Sequence, residues 1–346
     1  MLSRSLSQHL TIVVPGLAQA LAVEDSAGLR LSFLERLIGR ANLIGSAAAP
    51  YESLLFKLFN ISQLESTDIP VAPIMYAWDK GNSLLGTGWW LRADPVHLRP
   101  DRDQLVLFGS HYLALNEIES QSLARLVAPL FTEYGWQFEP LRPNRWYLQL
   151  PQPDQVTFTA LGVAERKHLR TALPTGIDGS RWRSLLNETQ MLLHDCTVNQ
   201  RREDHGLPPA NSLWFWGAGE SSLCSDSSWQ QVSGGHDPLF QALANYCKIS
   251  NKPLIEFQTG HEWLEEISAP GNYLLILDSL LSEIDSFQHR QILLGLEENW
   301  FSVLFAALRN RRLASLTLYP MDGYFYYLAW PQAWYFWRRS RIPYDG

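Results

Sequence analysis

The N-terminal part of the chain combines one short apolar run with two stretches of helical spacing. The run LTIVV, residues 10–14, is followed by Pro15-Gly16, which predicts a buried strand that ends in a loop. In LRLSFLERLIGRA, residues 29–41, and YESLLFKLFN, residues 51–60, apolar positions recur every three or four residues. This spacing predicts two amphipathic helices that cover a sheet.

The middle of the chain is predicted to be rich in strands. Apolar and aromatic runs indicate strands at PIMYAWD, GTGWWLRADPVHL and DQLVLFG, and again over residues 136–138 and 145–150. A helix is predicted to begin near Glu117, because apolar residues then recur at helical spacing. Residues 81–169 therefore form a predicted α+β insert that resembles a substrate-binding lid.

Beyond residue 170 the predicted helices and strands alternate. Helices are predicted over residues 180–195, 238–248 and 286–309, and strands over 212–216, 253–257, 272–277 and 313–319. Such alternation indicates an α/β fold, with a mostly parallel sheet covered by helices on both faces. We expect one core, residues 1–80 and 170–346, interrupted by the smaller insert.

Composition and charge exclude several classes of protein. Apolar residues make up 46% of the 346 positions and charged residues 18%, which is typical of a globular chain. No run approaches the roughly 18 apolar residues of a membrane-spanning helix. The net charge of −7 argues against a general nucleic-acid binder. Three cysteines form no even set and no CxxC pair, so we expect a reducing, cytoplasmic location.

The N-terminus also has an alternative interpretation. MLSRSLSQHLTIVVPGLAQALA has a lone Arg4, an apolar stretch and an Ala-Leu-Ala end, as export signals do. Gln8 and His9 interrupt that pattern, so we favour the strand.

Polar residues and glycines cluster between residues 199 and 219. Asn199, Arg202 and His205 precede a Trp-Phe-Trp strand that stops at Gly217-Ala218-Gly219. Arginine matches the geometry of phosphate or carboxylate, and glycines let backbone amides approach an anion. Because ligands bind beyond the carboxyl ends of parallel strands, the segment predicts an anion-binding corner. The alternative is a solvated Arg202 paired with Glu203 or Asp204, beside a tight turn.

The same residues resemble a family. The pattern NxxRxxxG, then PAN, then WxWGxG, over residues 199–219, resembles the archaeal-type, cofactor-independent phosphoglycerate mutases of the alkaline-phosphatase superfamily. Together with ADPVHLRPDRDQLVL, it is also similar to bacterial regulatory proteins of RpfE type. The resemblance implies an alkaline-phosphatase-like core. It also implies that Arg92, in a strand of the insert, is the candidate residue that helps to hold substrate.

The stretch LRADPVHLRPDRDQ offers few other candidates for chemistry. Strand alternation places Arg92 and Asp94 on one face and His97 on the other, so a metal site formed by Asp94 and His97 is not favoured. Arg99 and Arg102 are candidates for anion binding from their charge alone.

The sequence departs from active mutases at the expected metal ligands. By resemblance, a first strand should end in Asp-Gly with the aspartate on a metal, but here Pro15 precedes Gly16. The last histidine is His289, and the late stretch LTLYPMDGYFYYL offers only Asp322. The strand around 272–277 leads to Asp278, Glu283 and Asp285 without a histidine in matching context. We therefore expect no metal cofactor, and a pseudoenzyme that binds a small phosphorylated or carboxylate ligand.

Two other functions stay open. One is an active mutase or phosphatase with a rearranged Mn²⁺ or Mg²⁺ site that uses Asp94, His97, His194 and Asp195. The other is an interaction module, in which the aromatic and basic tail, residues 330–346, docks on a protein, a membrane surface or single-stranded nucleic acid. For that tail we favour a last helix whose aromatic residues close the core while its arginines stay solvated.

Overall fold

A computed structural model describes residues 8–22, 29–45, 49–61, 68–81, 88–101, 104–165, 168–221, 224–281 and 286–338. Within these ranges the strands, in chain order, are β1 (Gln8–Val13), β2 (Asn42–Gly45), β3 (Trp89–Asp101), β4 (Gln104–Phe108), β5 (Gln137–Arg142), β6 (Arg145–Leu150), β7 (Val156–Thr157), β8 (Thr175–Gly176), β9 (Ser212–Gly219), β10 (Trp229–Gly234), β11 (Asn251–Pro253), β12 (Gly271–Ile276), β13 (Ser315–Tyr319) and β14 (Tyr324–Ala329).

The helices of the described residues are α1 (Leu17–Ala22), α2 (Ser32–Arg40), α3 (Tyr51–Leu58), α4 (Val71–Lys80), α5 (Ser110–Leu113), α6 (Glu117–Glu133), α7 (Leu161–Ala164), α8 (Leu169–Ala172), α9 (Gly179–His194), α10 (Thr197–Asp204), α11 (Pro238–Tyr246), α12 (Gly260–Glu266), α13 (Ser286–Leu296) and α14 (Ser302–Arg309). A π-helical turn, Glu297–Phe301, joins α13 to α14, and short 3₁₀ helices cover Leu254–Glu256 and Trp330–Trp334.

The chain divides into two compact units. The first unit contains Met1–Tyr51 and Asp226–Gly346, and the second contains Glu52–Ser225. The second unit is longer than the predicted insert of residues 81–169. It also takes in α4, α9, α10 and β9, because α4 and α9 pack on β9, which pairs with β3.

The first unit is built on a mostly parallel sheet. Its strand order is β11-β10-β12-β1-β13-β14-β2. β1 pairs in parallel with β12 and β13, whereas β14 pairs antiparallel with both β13 and β2. Leu10 and Ile12 of β1 lie in one apolar core with residues of α2, α12 and α14. The predicted α/β fold class, with a mostly parallel sheet and packed helices, is confirmed.

The second unit is built on an antiparallel sheet. β3 pairs antiparallel with β4, β6 and β9, and β5 extends the sheet beyond β6. Aromatic rings fill its core: Trp182 stacks on Trp136 with centroids 5.0 Å apart and meets Phe215 edge-on at 4.9 Å. Much of the aromatic content of the chain is thus explained by packing. Trp214 and Trp216 of β9 are both buried there.

Three predictions of secondary structure are wrong. PIMYAWD forms most of helix α4 rather than a strand. Nearly all of α4 is buried, so its sequence lacks the polar face that marks a helix. The strand predicted at 253–257 is the short β11 followed by a 3₁₀ turn. The predicted C-terminal helix is a 3₁₀ turn, and the described part of the tail continues to residue 338 without further helix.

No helix of the described residues is long and apolar enough to cross a membrane. Cys196 is a free cysteine. The cytoplasmic location stays a prediction.

Candidate functional site

Asn199 is a buried structural residue of the second unit. Its side-chain nitrogen donates to the carbonyl oxygens of Leu193 and Ala210, at 2.8 and 3.0 Å, and its oxygen accepts from the Ala210 N–H at 2.9 Å. Both side-chain N–H groups and the oxygen therefore have backbone partners. This bonding holds α10 against the end of α9 and the start of β9.

Arg202 is also buried, with 2% of its surface exposed. Its Nε donates to the Pro208 carbonyl at 2.9 Å, and Nη2 donates to the Leu113 carbonyl. The third nitrogen, Nη1, forms an ion pair with Glu119 at 2.7 Å. Because every guanidinium nitrogen has a protein partner, Arg202 joins three segments of the second unit. It does not pair with Glu203 or Asp204 at the surface, as the alternative interpretation expected.

His205 and the two glycines complete the predicted corner, but they face different neighbours. His205 is exposed and donates from Nδ1 to the Arg201 carbonyl at 2.6 Å. Gly217 has φ +68°, and a Cβ there would lie 3.1 Å from Cβ of Val71. A Cβ on Gly219 would likewise meet Pro70. The glycines thus allow β9 to approach the start of α4 closely.

The position of β9 corrects one premise of the anion-binding prediction. Residues 212–219 lie in the antiparallel sheet, paired with β3, and not in the parallel sheet of the first unit. The rule that places ligands beyond the carboxyl ends of parallel strands therefore does not apply to Gly217 and Gly219. The alternation pattern could not distinguish the two sheets, because β9 is buried along its whole length.

Arg92 lies at the centre of the antiparallel sheet. Its guanidinium binds the Asp94 carboxylate through Nε at 2.9 Å and Nη2 at 2.7 Å. The guanidinium carbon lies 5.3 Å from the ring centroids of both Tyr147 and Trp216. Asp94 also accepts from Trp216 Nε1 at 2.7 Å, and burial raises the pKa of this carboxyl group. Nη1 of Arg92 is the guanidinium nitrogen for which the described residues supply no acceptor.

The residues of the alternative metal site do not converge. Asp94 is bound to Arg92, and His97 donates from Nδ1 to the Pro209 carbonyl at 2.8 Å. His194 and Asp195 lie exposed at the end of α9, 3.9 Å apart. Arg99 lies over the Phe108 ring, and Arg102 lies outside the described residues. The geometry therefore does not favour a rearranged metal site at these positions.

The carboxyl edge of the parallel sheet carries a second group of polar residues. β1 ends at Val13 and leads into Pro15-Gly16, where a Cβ on Gly16 would lie 2.7 Å from the Leu280 carbonyl. The neighbouring strands β10 and β12 lead to Asp237 and Asp278, which we call the edge carboxylates. This is the edge at which open α/β sheets bind ligands.

The edge carboxylates are engaged with their own surroundings. Asp278 Oδ2 accepts from the Asp237 N–H at 2.8 Å. Asp237 caps α11 by accepting from the N–H groups of Leu239 and Phe240, and it accepts from the Tyr51 hydroxyl at 2.7 Å. Burial, with the Asp278 charge as a lesser cause, raises the pKa of Asp237. Asp237 is not among the residues predicted from the sequence, although an aspartate before Pro238 is a typical helix N-cap.

The described residues do not fit the two-metal site that the resemblance implies. No three His, Cys, Asp or Glu side chains among them are grouped as a metal site requires. Asp322 accepts from the Tyr324 N–H and the Tyr326 hydroxyl, both at 2.9 Å. Proline at position 15 has no ligand atom in its side chain. Glu283 and Asp285 lie outside the described residues.

Comparisons with known proteins show a shared fold with one solved structure and weak similarity in sequence to one curated protein. A probable 2,3-bisphosphoglycerate-independent phosphoglycerate mutase from Geobacter sulfurreducens is 25% identical over 139 residues. This match covers 38% of the chain and 33% of that protein, so the chain spans about a third of the length of the curated relative it matches. No protein-family model matches the chain.

Among solved structures, the PH0037 protein from Pyrococcus horikoshii aligns with a TM-score of 0.51 at 11% identity, over 93% of this chain and 87% of that one. The cofactor-independent phosphoglycerate mutase from Thermoplasma acidophilum aligns with a TM-score of 0.43 at 14% identity, over 93% and 89%. The chain is thus weakly similar in sequence to a phosphoglycerate mutase, and it shares its fold with the Pyrococcus protein.

Proposed function

We propose that this chain is a phosphoglycerate-mutase-like pseudoenzyme that binds a small phosphorylated or carboxylate ligand and acts as a regulatory protein of RpfE type. The observation that supports this proposal is the set of residues, and their hydrogen bonds, at the carboxyl edge of the parallel sheet. There β1 leads into Pro15, and Asp237 binds two backbone N–H groups and a tyrosine hydroxyl. Two-metal phosphoryl transfer needs free carboxylate and histidine ligands, because the metals stabilise the developing charge.

The proposal also explains why the 199–219 segment can persist without the metal ligands. Asn199 and Arg202 bind backbone carbonyls and Glu119, so their side chains stabilise the second unit itself. Asn211 acts similarly, because its side chain accepts from the Leu98 N–H at 2.7 Å and donates to the Leu98 carbonyl at 2.9 Å. Loss of catalysis would leave the requirement for these bonds unchanged.

Of the predicted anion-binding residues, Arg92 and His205 are the ones we retain as candidates for ligand contact. Arg92 has one guanidinium nitrogen without an acceptor among the described residues, and His205 is exposed. We expect 3-phosphoglycerate to stabilise the protein against heat, since a ligand that binds only the folded state raises its stability. Replacing His205 by alanine is a suitable first variant, because its side chain is exposed and, within the described part of the chain, bonds to the Arg201 carbonyl.

The experiment that tests the proposal is an assay for interconversion of 3- and 2-phosphoglycerate with excess Mn²⁺ or Mg²⁺. The Geobacter protein serves as a positive control under the same conditions, and circular dichroism verifies the fold. We expect no turnover above background. Turnover that scales with enzyme and is abolished by a chelator would refute the pseudoenzyme and would show that ligands outside the described residues complete a metal site.

A further inference from the structure

The last described segment of the chain exposes three large aromatic side chains. Trp334 is 49% exposed, Phe336 82% and Trp337 64%. They follow β14 and the short 3₁₀ turn, where Ala333 alone is fully buried. This arrangement differs from the expected C-terminal helix with aromatic residues closing the core. Exposed aromatic clusters of this kind mark interaction sites in proteins.

Arginines surround this aromatic segment and lie on its rings. The guanidinium of Arg309 lies 4.2 Å from the Trp334 ring centroid, and that of Arg311 lies 4.1 Å from the Trp330 centroid. Arg338 lies over Tyr335 at 5.6 Å. None of these three arginines takes part in an ion pair with a carboxylate of the described residues. Their charge is therefore available to an anionic partner.

Further contacts place an apolar strand beside the segment. Arg338 donates to the Arg40 and Ala41 carbonyls at 3.0 and 3.2 Å, and Asn42 of β2 accepts from it at 3.2 Å. Leu43, the next residue of β2, is 58% exposed and pairs with Tyr326, whose side chain joins the core beneath the 3₁₀ turn. We define the aromatic and basic surface as Leu43, Arg309, Arg311, Trp334, Phe336, Trp337 and Arg338.

The chemistry of this surface favours one class of partner. Stacking of nucleic-acid bases requires open ring faces. Here one face of Trp334 is covered by Arg309, and Trp337 stacks on Tyr335 with centroids 4.8 Å apart. The aliphatic Leu43 adds apolar area that bases do not use. By contrast, the interface of an anionic membrane accepts protruding aromatic and aliphatic groups of any shape, and it attracts arginines.

We infer that the aromatic and basic surface binds the headgroup region of anionic phospholipid membranes, so that the protein associates with membranes at their surface. Phe336 and Trp337 would enter the boundary between headgroups and acyl chains, while Arg309 and Arg311 would contact lipid phosphates. The inference is independent of the proposed function, because it uses residues of the first unit that lie outside the predicted ligand-binding positions.

Vesicle sedimentation tests the inference with the full chain. Vesicles of phosphatidylcholine mixed with phosphatidylglycerol are compared with vesicles of phosphatidylcholine alone, at low and high salt. We expect binding to the anionic vesicles that weakens as salt is added. The affinity of the variant Phe336→Ser/Trp337→Ser for anionic vesicles should fall by about tenfold or more, because both aromatic rings that would be buried in the membrane interface are removed. Arg309→Gln/Arg311→Gln should lose about fivefold per arginine.

Ile255→Ser is the matched control. Ile255 is 77% exposed in the same unit but outside the defined surface, so this variant should bind as the wild type does. All five substituted positions are exposed, and unchanged thermal unfolding verifies that the variants fold. Equal binding to both kinds of vesicle, or none, would overturn the inference. So would binding of an oligothymidylate in the absence of vesicle binding, or self-association that Phe336→Ser/Trp337→Ser abolishes.

Discussion

Asn199 and Arg202 in the antiparallel unit are almost completely buried, whereas Asp237 and Asp278 at the edge of the parallel sheet are half-buried. The first pair donates to backbone carbonyls and to Glu119, and joins α6, α9 and α10 to the start of β9. The second pair connects two loops and caps a helix: Asp278 accepts from the Asp237 N–H, and Asp237 accepts from the first turn of α11 and from the Tyr51 hydroxyl. The deeply buried pair thus donates mainly to backbone carbonyls of distant elements, whereas the edge carboxylates accept mainly from backbone N–H groups.

The contrast changes the meaning of the family resemblance. The pattern over residues 199–219 predicts a ligand-binding corner because arginine, asparagine and glycine are common in such sites. In the structure, Asn199, Arg202 and Asn211 donate instead to backbone carbonyls of the second unit. A sequence pattern can therefore indicate a shared fold without indicating a shared reaction.

Removal of the Arg202 side chain should cause the largest loss of stability. Arg202→Ala leaves the carbonyls of Leu113 and Pro208 without a donor and Glu119 without its partner, so we expect a loss of about 3 kcal/mol or more. Urea denaturation measures it. The control is Arg201→Ala, an exposed neighbour whose loss should cost less than about 0.5 kcal/mol. Equal stabilities of the two variants would contradict the structural role.

Asp68 should make the stability of the protein depend on pH. Burial raises the pKa of Asp68 from 3.8 to about 6, although the Phe158 N–H donates to both of its oxygens. The folded state therefore binds the proton more tightly than the unfolded chain does. Stability from this group is present below pH 3.8 and is lost as pH rises to about 6, by about 3 kcal/mol at most.

Asp68→Asn tests this pH dependence, because the amide cannot ionise. The free energy of unfolding, measured by urea denaturation at several pH values, should change less between about pH 4 and 6 in the variant than in the wild type. The exposed Asp226→Asn is the control and should leave the profile unchanged. A wild-type profile that rises over this range would show that other groups dominate.

The cost of replacing a glycine of β9 has two parts, which are backbone strain and steric crowding by the new Cβ. Gly217→Ala should cost about 2 kcal/mol, because the residue has φ +68° and its Cβ would approach Val71 to 3.1 Å. Gly206→Ala is matched in backbone conformation, with φ +71°, but has no atom within 4 Å of the new Cβ. It should cost only about 1 kcal/mol. If the two losses measured by thermal unfolding are the same, β9 does not pack tightly on α4.

The smallest effect is expected at the edge carboxylates. Asp237→Ala removes the N-cap of α11 and should cost about 1 kcal/mol, whereas Asp237→Asn keeps an acceptor oxygen and should cost less. Thermal unfolding of the wild type should not depend on Mn²⁺, since this aspartate acts as a cap. A rise in the unfolding temperature on addition of Mn²⁺ that Asp237→Asn abolishes would show that a metal binds at the edge carboxylates. Asp237 would then be a metal ligand and not simply a helix cap.

Much of the fold was determined by the sequence alone. Local periodicity identified α2, α6, α9 and α11, the strands β1, β5, β6, β12 and β13, and hence the α/β class. These features follow from the spacing of apolar residues, which depends on neighbours along the chain.

Only the tertiary structure decided the sheet to which β9 belongs, the helical state of α4, and the partners of Asn199 and Arg202. Elements that are buried on every side, such as α4 and β9, lose the polar face that distinguishes helix from strand and one sheet from another. A buried arginine and a ligand-binding arginine have the same sequence signature. What separates them is the set of carbonyls and carboxylates that residues distant in the chain, such as Leu113 and Glu119, bring within hydrogen-bonding distance.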